Sequence, residues 1–236
     1  MSTVQLNALP PVWFHNGAMV LSSVSLILIA VATGTTSWVE MKASYHHNTA
    51  TEGVGLFQFC LFTDVETCDS VIVDGGGNQV VCGTRTISQV NSMLRSIQAC
   101  AVISTLLAGA AVFFCPFRML FQSRITLILG AGLVETFLSG AASVFALLTW
   151  ALFAYFMRSW YVCGTSYCDE LQRELSSHVD TFQCGFDYSF ILCIIAWLLL
   201  ALSSGAFFAG FFFHQRAATR AAEEARHRNY SELIQE

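Results

Sequence analysis

Apolar residues along this chain are gathered into four long blocks separated by polar stretches, instead of alternating with polar ones as they do on half-buried faces. A helix needs about 20 consecutive apolar residues to cross hydrocarbon. The first block, residues 14–37, passes through AMVLSSVSLILIAVATGTT without a charge. The second, residues 97–117, runs up to Pro116 and Arg118, a helix-stopping residue and a cation that suit a membrane boundary. The third, residues 125–157, would reach roughly 50 Å as one helix, so it overshoots the bilayer or tilts. The fourth, residues 188–214, leads into a polar tail, residues 215–236. Small residues at Ala30 to Ala32 resemble a signal-peptide cleavage site, but no basic residue precedes the first block, and a retained anchor is the expectation.

The intervening segments carry their own patterns. Residues 38–96 form a long loop containing VGLFQFCLF and then VIVDGGGNQVVC, two β-branched runs around an Asp-Gly-Gly-Gly-Asn turn, which predicts a hairpin and a small antiparallel sheet. Ile87, Val90, Met93, Leu94 and Ile97 follow helical spacing and predict a short amphipathic helix leading into the second span. Residues 118–124 make a very short connection. Residues 158–187 make a shorter loop in which CDELQRELSSHV reads as partly helical. The fold class expected is membrane α-helical, a left-handed four-helix transmembrane bundle with a small extracellular antiparallel β-sheet.

Composition agrees: 55% of the 236 residues are hydrophobic and 11% charged, against roughly 25% charged in a soluble domain. Cysteines orient the chain. Cys60, Cys68, Cys82, Cys163, Cys168 and Cys184, six of nine, fall in the two longer loops, where an oxidising compartment pairs them. Arg118, Arg124, Arg216, Arg220, Arg226 and Arg228 lie on the other side, a weaker bias toward the cytosol. Both termini are therefore expected in the cytosol and the protein at the plasma membrane. Cys100, Cys115 and Cys193 lie in or beside spans and read as small packing residues, with Cys115, at a cytosolic helix end, also a palmitoylation candidate. The adjacent His46 and His47 would point to opposite faces of a strand and read as surface residues. A zinc site is the weaker alternative to disulfides.

Trp38 just beyond the first span, then Gly55-Leu56-Phe57, then Cys60, together with a long first and short second loop, resemble the claudin superfamily over nearly the whole chain. Tetraspanins fit less well, because their large loop is the second. The resemblance implies two cysteines clipping adjacent strands. Cys60 is the first; Cys68 comes at slightly short spacing, and Cys82, at the end of the hairpin, is favoured as partner. Two departures matter: Phe57 stands where the family has Trp, and the second loop holds three cysteines. Both look more like the lipoma HMGIC fusion partner-like branch, whose members accompany channels and receptors; the calcium-channel γ subunits are another comparison. The chain ends in LIQE, not in the apolar motif by which claudins bind PDZ scaffolds.

Each outer loop carries a net charge of −3, favouring cations or a basic partner, with Asp64, Glu66 and Asp69 beside the cysteine clip the first residues to test. Solvated charges that keep a small ectodomain soluble are the plainer reading. Within the spans one acid stands out: Glu135 lies about ten residues, roughly 15 Å, beyond Arg124, where a carboxylate is expensive unless protonated or paired. It is expected to bond a Ser or Thr of a neighbouring helix or to meet a partner's helix. In the tail, Tyr230 and Leu233 bound a tyrosine-x-x-bulky-apolar sorting pattern, and Asn229 opens the chain's one Asn-x-Ser/Thr sequon. With no phosphate loop, zinc helix or serine elbow, and one ionisable residue in the spans beyond Cys and Tyr, no catalysis, cofactor, nucleic acid or small-molecule substrate is expected. The expected partners are membrane lipid and other membrane proteins. The roles left are a structural or adhesive element and an auxiliary subunit of a channel or receptor.

Overall fold

The structure, a computed structural model, describes residues 11–45, 48–62, 66–70, 80–82, 85–120, 132–160, 166–175 and 179–233. Among the described residues there are five helices, α1 (Pro11–Gly34), α2 (Ile87–Leu120), α3 (Leu133–Tyr155), α4 (Tyr167–Leu175) and α5 (Tyr188–Leu233), with a π-helical turn, Phe156–Trp160, continuing α3. All but α4 contain a stretch long and apolar enough to cross a membrane: Trp13–Gly34, Ser88–Pro116, Leu133–Arg158 and Tyr188–Ala217. The four long helices form a closed ring in which α1 packs on α2 and α5, and α3 on α2 and α5. α1 and α3 therefore occupy opposite corners.

Buried positions on these helices alternate in steps of three and four. On α1 they are His15, Ala18, Ser22, Ser25, Ile29 and Ala32. On α3 Glu135, Ser139, Ala142, Ala146, Thr149 and Phe153 keep the same rhythm, and on α5 Cys193, Ala196, Leu200, Ser203 and Phe207 do so too. Small residues dominate the middle of the bundle and the end away from the sheet, because lipid tails are as apolar as leucine and helices associate through close approach and interhelical hydrogen bonds. Several such bonds are present: Ser22 Oγ to Ser203 Oγ (2.6 Å), Ser203 Oγ donating to the carbonyl of Ala18 (2.8 Å), and Ser104 Oγ donating to that of Ala142 (2.7 Å).

Three boundaries differ from the sequence reading. α2 is one continuous helix, so the segment from Ile87 is not a separate short helix, and Pro116 lies inside it. A proline near a helix end removes one hydrogen bond, which a membrane helix tolerates. The third span is not one helix of residues 125–157: Gly132 precedes α3 with φ 93°, a left-handed conformation that a right-handed helix cannot run through. α5 carries the span and the tail to Leu233 in a single 46-residue helix, because Ala, Arg and Glu are strong helix formers.

Outside the bundle, β1 (Val39–Tyr45), β2 (Asn48–Val54), β3 (Gln58–Phe62), β4 (Glu66–Ser70) and β7 (Thr181–Phe186) form an antiparallel sheet in the order β4-β3-β2-β1-β7. The fifth strand comes from the second loop, which the sequence reading left without a strand. β5 (Val80–Cys82) pairs separately with β6 (Arg85–Thr86). The expected hairpin turn at residues 74–78 lies outside the described residues.

Candidate functional site

The ectodomain is joined to the bundle at Trp38, which follows α1 by a short turn. Its side chain is fully buried, its indole N–H donates to the carbonyl of Ala32 (2.5 Å), and its ring meets Phe153 edge-on at 4.9 Å and Phe190 at 6.0 Å. The Trp38 main chain is used on both sides: its N–H donates to the carbonyl of Val54 (3.1 Å) and its carbonyl accepts from Asp187 N–H (3.0 Å). One residue thus ties α1, β2 and the end of β7 together. Thr35 Oγ1 and Ser189 Oγ, 2.5 Å apart, link the same ends of α1 and α5.

Gly55, Leu56 and Phe57 form the turn between β2 and β3, and each does something different. A Cβ at Gly55 would lie 2.5 Å from the carbonyl oxygen of Thr35 and 2.7 Å from Cα of Thr36, both backbone, so only glycine fits. Leu56 is fully buried and its carbonyl accepts a bond from Gln98 Nε2 (2.7 Å), which fastens the turn to α2. Phe57 is 40% exposed. The sheet's inner face, with Val39, Met41 and Leu56, joins Val90 and Leu94 of α2 in one buried cluster.

Cys60 is buried and disulfide-bonded, and the strand register sets Cys68 of β4 directly opposite it. Cys82 belongs to the separate β5/β6 ribbon. Cys168 of α4 is bonded to Cys184 of β7, which itself faces Met41 on β1, so the second loop's helix is stapled to the shared sheet. Cys163, Asp64, His46 and His47 lie outside the described residues. Glu66 and Asp69 lie on β4, at one edge of the sheet. Lys42 Nζ pairs with Glu40 (2.9 Å) on the solvent side. Glu52 shares a face with Met41, and burial pushes its carboxyl above the usual range. Among the described residues, no group of three His, Cys, Asp or Glu side chains could hold a metal ion.

In the bundle, Glu135 is 3% exposed and sits in the first turn of α3, where unbonded N–H groups and the helix dipole favour an acid. A helix begun at residue 125 would hold it ten residues in, whereas α3 starts at Leu133. His15, inside the first apolar block, is a second ionisable residue of the spans beyond Cys and Tyr, and it is 7% exposed on α1. The signal was there: His15 stands three residues before Ala18, in the same three-and-four rhythm. Cys115 has no exposed surface and clusters with Ala18 and Phe207, so its thiol is inside the bundle and closed to an acyl chain, unlike the surface cysteine that palmitoylation requires. Cys193 is likewise buried and Cys100 partly so, and none of the three is in a disulfide. Tyr230 and Leu233 fall in the last turns of α5, where the sorting pattern is helical.

The fold defines the class: four apolar helices of a multi-pass membrane protein beneath an antiparallel sheet. No family model matches the chain, and no curated protein matches it.

Proposed function

We propose that this is a non-catalytic, claudin-like four-pass protein of the plasma membrane, with both termini cytosolic and a left-handed bundle. It acts as a structural or adhesive element through lateral and facing-membrane contacts of its ectodomain. The observation that carries the reading is the way both outer loops contribute to one sheet that is rooted in the bundle at Trp38. Such a sheet transmits position from the membrane to its edges, β4 and β7, and an edge strand is a ready surface for another chain. The heptad-like burial rhythm supports the left-handed sense, since a strict seven-residue repeat imposes that supercoil.

A second reading, an auxiliary subunit beside a channel or receptor, is favoured by exposed Phe57 at the foot of the sheet, an aromatic surface placed for a lateral neighbour. Expression alone in non-adherent cells distinguishes the two. Cell contacts or strands support the adhesive reading. A stoichiometric channel or receptor recovered after purification in mild detergent, with no contacts formed, replaces it with the second.

A further inference from the structure

The outer face of the sheet carries an open groove of about 220 Å³ where β1 meets β7, lined by Glu40, Lys42, Gln183, Gly185, Phe186 and Asp187. The strand register makes it. Gln183 stands opposite Lys42 and Gly185 opposite Glu40, so the place beside Glu40 that a side chain would take is empty. Nothing lies within 4 Å of where a Cβ at Gly185 would stand, so no neighbour fills the gap. Asp187 closes the end nearest the bundle. Its N–H donates to the carbonyl of Trp38 (3.0 Å) and its carbonyl accepts from Phe190 N–H (3.1 Å), which fixes it at the junction of β7 and α5. Its carboxylate has no hydrogen bond or ion pair to any of the described residues.

Charge and height decide what the groove fits. Two carboxylates, Glu40 and Asp187, face one ammonium, Lys42, which is already paired with Glu40 at 2.9 Å; the net single negative charge favours a small cationic group. Asp187 directly precedes Tyr188, where the fourth span begins, and Glu40 lies two residues beyond Trp38, whose ring is buried against the bundle. At about 3.3 Å per strand residue, Glu40 stands roughly 7 Å above Trp38. That is about the thickness of one headgroup layer, roughly half the difference between a whole bilayer of about 40 to 45 Å and its core of about 30 Å. Phe186 and Tyr188 are 37% and 48% exposed at the same level, where aromatic side chains mark the boundary of hydrocarbon and water. Phe186 stacks on Phe190 at 4.2 Å, which makes the apolar lip of the groove rigid. The volume falls below the roughly 300 Å³ at which pockets for drug-sized ligands begin, leaving room for a headgroup but not for a whole lipid.

We propose that this groove seats the headgroup of a zwitterionic phospholipid from the leaflet beside the sheet, its primary ammonium donating to Asp187 and Glu40 and its acyl chains running down past Phe186 and Tyr188. The inference rests on the four spans and stands apart from the adhesive or auxiliary reading. Native mass spectrometry of the full chain in detergent, with phosphatidylethanolamine or phosphatidylglycerol of identical acyl chains added, tests it. The ethanolamine lipid should bind roughly tenfold more tightly than the glycerol lipid, and Asp187→Asn, which keeps the shape and removes the charge, should weaken it about tenfold, the loss of one charge-assisted hydrogen bond. Gly185→Val fills the gap with a residue that strands accept and should weaken binding as much, with Tm unchanged. Asp69→Asn, on β4 at the far edge of the sheet, should bind as the unsubstituted chain does. Equal binding of the two lipids, or undiminished binding of the ethanolamine lipid in both Asp187→Asn and Gly185→Val, overturns the proposal. So does displacement of the lipid by an equal concentration of soluble phosphoethanolamine, which would make the ligand a free amine instead of a membrane lipid.

Discussion

At the scale of single residues, Gly55 is the most constrained position outside the membrane. The atoms its Cβ would strike belong to the backbone of the α1–β1 turn, which cannot swing aside as a side chain could. Gly55→Ala should therefore cost about 2 kcal/mol or more and hold the protein in the endoplasmic reticulum, read by surface labelling against total expression. Glu52 gives a pH-dependent prediction. Burial raises its folded-state pKa, so its stabilising share is complete below the unfolded value and is lost as pH rises through the folded one. Glu52→Gln should accordingly raise Tm at pH 7, and that advantage should vanish below the ordinary glutamate pKa of about 4.3. Equal gains at pH 7 and pH 4 would refute burial as the cause.

At the scale of elements, the question is which cysteines join which strands. Residues directly opposed in an antiparallel pair have Cα atoms about 4.5 to 5.5 Å apart, inside the span a disulfide bridges. Cys60 and Cys68 are so opposed, whereas Cys82 lies in another ribbon. Peptide mapping without reduction should recover Cys60 joined to Cys68; a Cys60–Cys82 peptide would restore the pairing that the claudin resemblance favours. Losing the Cys168–Cys184 bond releases α4 from β7, and Cys168→Ser should cost about 2 to 4 kcal/mol, seen as a lower Tm. In the bundle, Ser203→Ala removes two interhelical hydrogen bonds and should cost on the order of 1 kcal/mol.

For the whole molecule, the testable matter is which way the chain lies in the membrane. Val80→Thr creates a sequon at Asn78 in the first loop, on the proposed outer side, while Asn229 already heads one on α5. The variant should gain one enzyme-removable glycan, with Asn229 left bare. A glycan at Asn229 and none at Asn78 would invert the topology.

The four spans were legible in the sequence because block length alone decides whether a segment can cross hydrocarbon. So was the helical reading of CDELQREL, now α4, from local propensity. The fifth strand was not, because TFQCGF becomes a strand by pairing with β1, some 140 residues earlier, and strand formation depends more on its neighbours than on its own residues. Nor was the break before α3, since Gly132 is one glycine among several and only its left-handed backbone marks the helix start. The site divides in the same way. Trp38 and Gly55-Leu56-Phe57 stand out as a motif, but that Trp38 roots the sheet, that Leu56 is held by Gln98 and that His15 fills the space beside Gly210 all depend on which helices are neighbours. Hydrophobicity is a property of each residue and is written along the chain; adjacency across the bundle belongs to the packing, and only the folded molecule decides it.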